Sequence, residues 1–266
     1  MGVVAAVAQF CAGLDKQINR KLVTEAIASA AEAGAELVVL PENSMYADPK
    51  PAGEDTDYPE PLDGPFATTV ADAARANGVT VVAGLTERLA TDARPSNTVI
   101  AVGPDAAPLA VYRKVHLYDA FGYRESDRVT PAEITAPAVF DLGGLRFGLM
   151  TCYDLRFPEM ARHLVDAGAN VIVVPAAWMV GPAKEDHWRT LLRARAIENT
   201  CYLLAAGQSG PYCTGQSLIA DPMGTVVACA GELPGHGIAA LSEHRIDTTR
   251  TTNPSLANRR FRVVPA

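Results

Sequence analysis

The sequence predicts an α/β protein built as a four-layer α-β-β-α sandwich with an internal pseudo-two-fold duplication. The segments AGAELVVLPEN (33–43) and AGANVIVVPAA (167–177) match in the same register. The hairpin segments VIAVGPD and LIADPMG also correspond, one in each half. Two halves with the same order of elements predict two sheets, each with helices on one side. Because the other face of each sheet must also be buried, the two sheets are expected to pack together and share one core.

The first half begins with an apolar strand, MGVVAAVAQF, followed by a helix from about Asp15 to Ala33. Asp15 is a suitable N-cap, apolar residues recur at helical spacing, and Gly34 can end the helix. The other elements predicted for this half are a strand, a helix, a second strand and a hairpin: 37–40, 65–76, 79–83, and 99–102 with 109–112.

The second half repeats this order. Its predicted elements are a strand, a helix, a strand, a helix, a strand and a hairpin: 145–151, 158–167, 171–174, 185–199, 202–205, and 217–220 with 226–229. No linker rich in Pro, Gly or Ser separates the halves, so residues 1–266 are predicted to form a single domain. Residues 248–266 are polar and basic without a helical or strand period until their end. They form either a solvated tail or a C-terminal arm that packs on a second subunit.

Composition and charge exclude several classes of protein. The 266 residues are 48% hydrophobic and 20% charged, with a net charge of −7, which gives no electrostatic footprint for nucleic acid or an anionic membrane surface. No apolar stretch is long enough for a membrane span, and a cytoplasmic protein is expected. The five cysteines include no C-x-x-C pair and the five histidines no H-E-x-x-H, so neither a disulfide framework nor a metal site is expected.

Three residues with reactive or charged side chains follow predicted strands: Glu42, Lys114 and Cys152. Ligands collect at the carboxyl ends of strands in α/β sheets, so these side chains are expected to converge. A carboxylate can accept the thiol proton and later give it to a leaving amine. A lysine ammonium and the Tyr153 N–H can stabilise the oxyanion. Cys152 precedes a predicted helix, whose N-terminal field would favour the thiolate. Together these groups suffice for acyl transfer from an amide.

A Cys–His arrangement is the rival catalytic scheme. His116 lies two residues after Lys114, and His163 and His187 fall in predicted helices. Structural hydrogen bonding is the favoured interpretation for all three. A lone cysteine is also often a small buried hydrophobic residue, and this interpretation applies to each of the five.

Five segments of the chain resemble the signature blocks of the nitrilase, or carbon–nitrogen hydrolase, superfamily. They are VVLPEN (38–43), YRKVHLYD (112–119), YRESDRVTPAE (123–133), GLMTCYDLRFPE (148–159) and GPAKEDHWRTLLRARAIENTCYLLAAGQ (181–208). The resemblance implies Glu42 as general base, Lys114 as oxyanion stabiliser, Cys152 as nucleophile and a second glutamate, Glu125, that supports Lys114 and the substrate. It also implies the nitrilase-like α-β-β-α fold, no metal or organic cofactor, and a homodimer or higher homo-oligomer with exchanged C-terminal arms.

Within that superfamily, CYDLRFPE is most similar to the Nit-type amidases, which include omega-amidases and amidases of deaminated glutathione. This resemblance implies hydrolysis of a small primary carboxamide to carboxylate and ammonia through a thioester. An N-carbamoyl amino acid hydrolase is the enzymatic alternative, since those enzymes carry an arginine near the position of Arg156. A non-catalytic binding protein of the same fold is the other alternative, and the intact set of Glu42, Lys114 and Cys152 argues against it.

The residues that select the substrate are less clearly marked. Arg156 either pairs with a substrate carboxylate or braces Asp154 or Glu159. Three residues that follow strands are expected either to wall the pocket or to pack in the core or rim: Tyr46, Trp178 and Met179. GPAKEDHW is longer than the GPAHW-like segment of the Nit pattern. The additional residues 184–186, Lys-Glu-Asp, lengthen the loop before a helix near the expected pocket.

Overall fold

Two six-stranded sheets form the centre of the protein. The computed structural model describes residues 2–48, 57–90 and 92–264. The strands of the first sheet are β1 (Gly2–Gln9), β2 (Leu37–Val39), β3 (Thr80–Glu87), β4 (Ser96–Val102), β5 (Pro108–Arg113) and β14 (Gly235–Ser242). Those of the second are β8 (Val139–Leu142), β9 (Leu145–Leu149), β10 (Val171–Ala176), β11 (Tyr202–Gly207), β12 (Leu218–Ala220) and β13 (Val226–Cys229). A separate two-stranded ribbon consists of β6 (Asp119–Ala120) and β7 (Tyr123–Arg124).

Five α-helices accompany the sheets in the described residues: α1 (Lys16–Glu32), α2 (Pro65–Asn77), α3 (Pro158–Asp166), α4 (Lys184–Asn199) and α5 (Glu243–Thr252). The N-cap predicted for α1 is confirmed, because the Asp15 carboxylate accepts hydrogen bonds from the N–H groups of Gln17 and Ile18 at 2.8 and 3.1 Å. Across the described part of the chain, none of the helices has the length and apolar character that a membrane crossing requires.

The predicted duplication is confirmed by the strand order of the two sheets. The first sheet runs β14-β1-β2-β3-β4-β5, and the second runs β8-β9-β10-β11-β12-β13. In each sheet the second, third and fourth strands are parallel, and the flanking pairs are antiparallel. Each half therefore builds the same sheet from the same succession of elements.

Alternation of side chains along the strands produces the predicted four layers. In β2, Leu37 and Val39 face a large apolar core that they share with Val173 and Leu204 of the second sheet. Val38 points the other way, into a second apolar cluster with residues of α1 and α2. A strand presents successive side chains to opposite faces, so one strand can serve both layers. The helices α3 and α4 cover the outer face of the second sheet.

The C-terminal segment differs from the prediction. Residues 248–252, expected to lack a helical period, form the second half of α5, and the preceding strand β14 was not predicted at all. Beyond α5, Leu256 packs against the central core, and Arg259 forms an ion pair of 2.6 Å with Asp166 at the end of α3. The start of the predicted arm thus packs on its own chain, while its last two residues, like residue 1, lie outside the described residues.

Gln9 connects the end of β1 to the loops of the second half. Its side-chain nitrogen donates to the carbonyls of Gly231 and Leu233 at 3.0 and 2.8 Å. Its side-chain oxygen accepts from the N–H and the hydroxyl of Ser217, both at 2.9 Å. The residue is 1% exposed, so each of these polar groups depends on the amide for a partner.

We expect Gln9→Ala to lower the free energy of unfolding by about 2–3 kcal/mol, because it leaves buried donors and acceptors without partners. Chemical denaturation followed by circular dichroism measures this change. Gln17→Ala, at an exposed position of α1, is the matched control and should stay within about 0.5 kcal/mol of wild type. Equal stabilities of the two variants would contradict the bridging role of Gln9.

Candidate active site

Glu42 lies just beyond the end of β2, where both halves of the chain contact its carboxylate. One oxygen accepts hydrogen bonds from the Lys114 ammonium at 2.9 Å and from the Asn97 amide at 2.7 Å. The other oxygen accepts from the N–H of Ala177 at 2.7 Å. The carbonyl of Glu42 accepts a further hydrogen bond, at 2.9 Å, from Gln208. These contacts leave the carboxylate 2% exposed and fixed in one orientation.

The backbone of Glu42 can reach this position because β3 carries a glycine beside it. A Cβ built on Gly84 would lie 2.6 Å from the Cα of Glu42 and 2.9 Å from the carbonyl oxygen of Pro41. Any larger residue would therefore displace the backbone that carries the carboxylate. The turn continues through Asn43, whose φ of 57° lies in the left-handed region that asparagine tolerates better than most residues.

Lys114 lies directly after β5 and is paired with two carboxylates. Its ammonium is 2.9 Å from Glu42 and 2.9 Å from Glu125, and the residue is 2% exposed. Glu125 begins a short 3-10 turn after the β6–β7 ribbon, and it also accepts from the Asn97 amide at 3.0 Å and from the Tyr118 N–H at 2.7 Å. The two glutamates thus hold one buried cation between them.

These contacts set the protonation states of the resting site. Burial alone would lower the pKa of Lys114, but the charges of Glu125 and Glu42 raise it well above its usual value. Burial alone would raise the pKa of Glu42, yet the Lys114 charge and the hydrogen bonds from Lys114, Cys152 and Asn97 hold it below the usual value. Burial, together with the charge of Glu42, raises the pKa of the Cys152 thiol well above normal. The resting site therefore contains an ammonium, an ionised Glu42 and a neutral thiol.

Cys152 lies in a sharp bend after β9. Its φ of 45° places a non-glycine residue in the left-handed region, which is a strained conformation. The sequence predicted a helix directly after the cysteine, but Cys152 instead opens a five-residue 3-10 turn that ends at Arg156, and α3 begins only at Pro158. The helix field expected at the thiol is therefore separated from it by this turn, which brings the thiol into hydrogen-bonding reach of Glu42.

A fully buried carboxylate holds this bend in place. Asp154 accepts hydrogen bonds from the Tyr112 hydroxyl at 2.6 Å and from the Thr151 N–H at 2.9 Å. It also accepts from the N–H of His116 at 3.3 Å and contacts the Nδ1 atom of the same ring at 2.7 Å. Asp154 is thus braced by the β5 region and not by Arg156, as one of the sequence alternatives had suggested.

The groups discussed so far border one cavity of about 570 Å³. Cys152, Glu42, Lys114, Glu125 and Tyr153 all line it, so the predicted set converges. Other lining residues come from two loops of the second half and from the segment around the β6–β7 ribbon: Tyr118, Phe121, Tyr123, Trp178, Met179, Lys184, Gln208, Ser209, Tyr212 and Cys213. Two-thirds of the predicted wall residues are in this group, namely Trp178 and Met179.

The remaining specificity residues occupy other positions. Tyr46 stacks on Tyr58 with ring centroids 4.4 Å apart and belongs to the apolar cluster of the first half, which is the packing alternative. Arg156 is not among the described residues that line the cavity. Its guanidinium lies 4.7 Å from the Trp178 ring centroid and 5.4 Å from that of Phe121, and 3.5 Å separates it from His187.

None of the three histidines of the rival scheme borders the cavity in the described residues. His116 contacts Asp154 and stacks on Phe157 at 3.9 Å, and His187 contacts Arg156. His163 lies in α3, on the outer side of the second sheet. These positions support the structural interpretation of all three side chains.

Sequence reasoning missed several residues of the site. Asn97, which bonds both glutamates, lies in β4 and cannot be distinguished by pattern from any polar strand residue. Gln208 follows β11 directly, so the rule that placed Glu42 and Cys152 at strand ends would have selected it. Tyr118 and Phe121 belong to a segment without periodicity.

Comparison with known proteins agrees with this geometry. The family model described as carbon-nitrogen hydrolase matches residues 4–251. The deaminated glutathione amidase of Escherichia coli O157:H7 is 39% identical over 260 residues, covering 97% of this chain and 98% of that protein.

Two solved structures share the fold. The NitFhit protein of C. elegans superposes with a TM-score of 0.87 at 30% identity over 97% of this chain, which spans 65% of that longer protein. An amidase from Nesterenkonia sp. AN1, 28% identical with a TM-score of 0.80, covers 97% of this chain and 94% of its own, and its structure shows the acetamide moiety of fluoroacetamide added covalently at the active-site cysteine. A family match over nearly the whole chain and relatives of this similarity establish that the protein belongs to the carbon-nitrogen hydrolase family.

Proposed function

We propose that the protein is an amidase that hydrolyses a small primary carboxamide to a carboxylate and ammonia through a thioester at Cys152. One observation carries the proposal: a carboxylate fixed by a buried ammonium lies beside a thiol in a single cavity. The amidase names of the E. coli and Nesterenkonia relatives support the reaction class.

The first half of the reaction forms the thioester. The Cys152 sulfur attacks the amide carbon while its proton moves to Glu42, which avoids a free thiolate with a raised pKa. Negative charge develops on the carbonyl oxygen, where the Lys114 ammonium and the Tyr153 N–H can stabilise it. Collapse of this intermediate breaks the C–N bond, and Glu42 gives its proton to the departing ammonia.

The second half restores the enzyme. Glu42 accepts a proton from water as the water oxygen attacks the thioester carbon, and a second oxyanion forms in the same position. Its collapse releases the carboxylic acid, and the sulfur leaves as the thiol by recovering the proton from Glu42. Glu125 contributes by keeping Lys114 charged and fixed, since it touches the ammonium directly.

Further features of the protein extend this proposal. We expect a cytoplasmic homodimer or higher homo-oligomer, with residues 248–266 contributing an arm to a second subunit. The side chains of Phe261 and Val264 are 90% and 75% exposed in the isolated chain, which supports an interface there.

We expect Cys152→Ala to abolish ammonia release from small amides, because no other thiol is placed within reach of Glu42. A coupled ammonia assay with a panel of small amides and N-carbamoyl amino acids measures this. Cys229→Ala, at an exposed thiol on β13, is the matched control and should retain full activity. Turnover retained in the Cys152 variant would contradict the mechanism, and carbon dioxide released together with ammonia would identify a carbamoyl hydrolase instead.

We expect Glu125→Gln to lower kcat by about 100-fold and to shift the alkaline limb of the kcat/KM profile to lower pH. The Glu125 charge is the main cause that raises the pKa of Lys114. The ammonium is present below that pKa and is lost as pH rises through it, so a lower pKa brings the loss to lower pH. Glu133→Gln, an exposed acid downstream in the same region, should leave both the rate and the profile unchanged. An unshifted alkaline limb would exclude action through Lys114.

Light scattering measures the oligomeric state. We expect at least twice the monomer mass for the full chain and a smaller mass after deletion of residues 259–266. A monomeric full-length protein would contradict the predicted arm exchange.

A further inference from the structure

Lys184 is a buried cation in the cavity that the mechanism above does not use. It is the first residue of α4, lines the cavity, and is 4% exposed. Its ammonium donates to the Tyr118 hydroxyl at 3.1 Å. It also lies 4.8, 4.6 and 4.9 Å from the ring centroids of Tyr118, Phe121 and Trp178. Three aromatic rings therefore surround one ammonium.

No carboxylate in the described part of the chain forms an ion pair with this ammonium. The two glutamates of the cavity, Glu42 and Glu125, are bonded to Lys114. The acids that follow Lys184 in sequence, Glu185 and Asp186, are exposed. Burying a charge without an opposite charge is unfavourable, so the site lacks an anion that the chain itself does not supply.

A second cation increases this deficit. The guanidinium of Arg156 contacts the same two rings, Trp178 and Phe121, that surround Lys184, and its Nε atom is buried without a hydrogen-bond partner. Burial lowers the pKa of Lys184, and the charge of Arg156 lowers it further. Two cations on one aromatic pair repel each other, and an anion bound beside them would relieve the repulsion.

The position of the ammonium is fixed by the protein. The indole nitrogen of Trp178 donates to the carbonyl of Lys184 at 2.8 Å, which joins the cavity wall to the start of α4. The carbonyl of the same tryptophan accepts from the N–H of Thr214 at 2.9 Å. A donor held in this way loses little conformational entropy when it binds a ligand.

We propose that Lys184 is a specificity-determining residue, whose ammonium binds a carboxylate at the end of the substrate remote from the scissile amide. The proposal rests on the amidase function proposed above and names the substrates that the site prefers: carboxamides that carry a carboxylate. Arg156, which lies behind the aromatic rings and outside the cavity lining, strengthens the positive field without touching the substrate.

Lys184 has one competing role, because its charge also acts on Cys152. Stabilisation of the thiolate would accelerate every substrate, whereas recognition of a carboxylate affects only anionic ones. A pair of amides of similar size separates the two roles: succinamate carries a carboxylate, and butyramide does not.

The test compares Lys184→Met, which keeps the length of the side chain and removes its charge, with wild type. We expect kcat/KM for succinamate to fall about 10- to 100-fold, mainly through KM, because one charge-assisted hydrogen bond is lost. The value for butyramide should stay within about twofold. Lys21→Met, at an exposed position of α1, is the matched control and should change neither value. Equal losses for the two amides, or no loss for either, would overturn the proposal.

A binding measurement separates failure of this proposal from failure of the amidase function. Calorimetry compares succinamate binding to Cys152→Ala and to the double variant Cys152→Ala/Lys184→Met. A 10- to 100-fold weaker affinity in the double variant would support carboxylate recognition, even if the wild-type protein released no ammonia and the amidase function alone failed. Unchanged affinity, or no binding to Cys152→Ala, would overturn the role of Lys184, while ammonia release by wild type would leave the amidase function intact. Circular dichroism confirms that each variant is folded.

Discussion

The buried ammonium of Lys114 is the interaction on which the site depends. A cation that is 2% exposed is tolerated only where opposite charges contact it, and here two carboxylates do so from different segments of the chain. Glu42 must then lie at the end of β2, and Glu125 must fold back over the end of β5. The same carboxylate of Glu42 accepts a backbone hydrogen bond from Ala177 in the second half. Correct charge pairing and correct packing of the two sheets are therefore one requirement.

The duplication explains how this asymmetric site arose on a symmetric frame. In the matched segments 33–43 and 167–177, Glu42 corresponds to Ala176. One half thus supplies the acid after its strand, while the equivalent strand of the other half leads into a backbone N–H that orients this acid. The two ends of related strands meet across the central core and perform complementary tasks.

Much of the fold and part of the site could be predicted from the sequence, because both depend on short-range patterns. The apolar runs ending at Pro41 and Pro175 mark buried parallel strands, and a strand end predicts where Glu42, Lys114 and Cys152 meet. Strand β14 was missed because its partner, β1, lies at the opposite end of the chain and its sequence begins with two of three residues as glycine. Glu125 and Lys184 owe their roles to a ribbon and a loop that have no periodicity, so only three-dimensional contacts reveal them.

The loop that carries Lys184 leads to a consequence for the evolution of such enzymes. The ammonium that faces the remote end of the cavity belongs to a segment whose length differs from the related pattern, whereas the thiol, acid and amine lie on the sheets. Insertions in a surface loop change the energy of folding little, because closing a slightly longer loop costs little entropy. A lineage can therefore exchange one group of substrates for another by a change in the length of one loop, while natural selection keeps the machinery of bond cleavage unaltered.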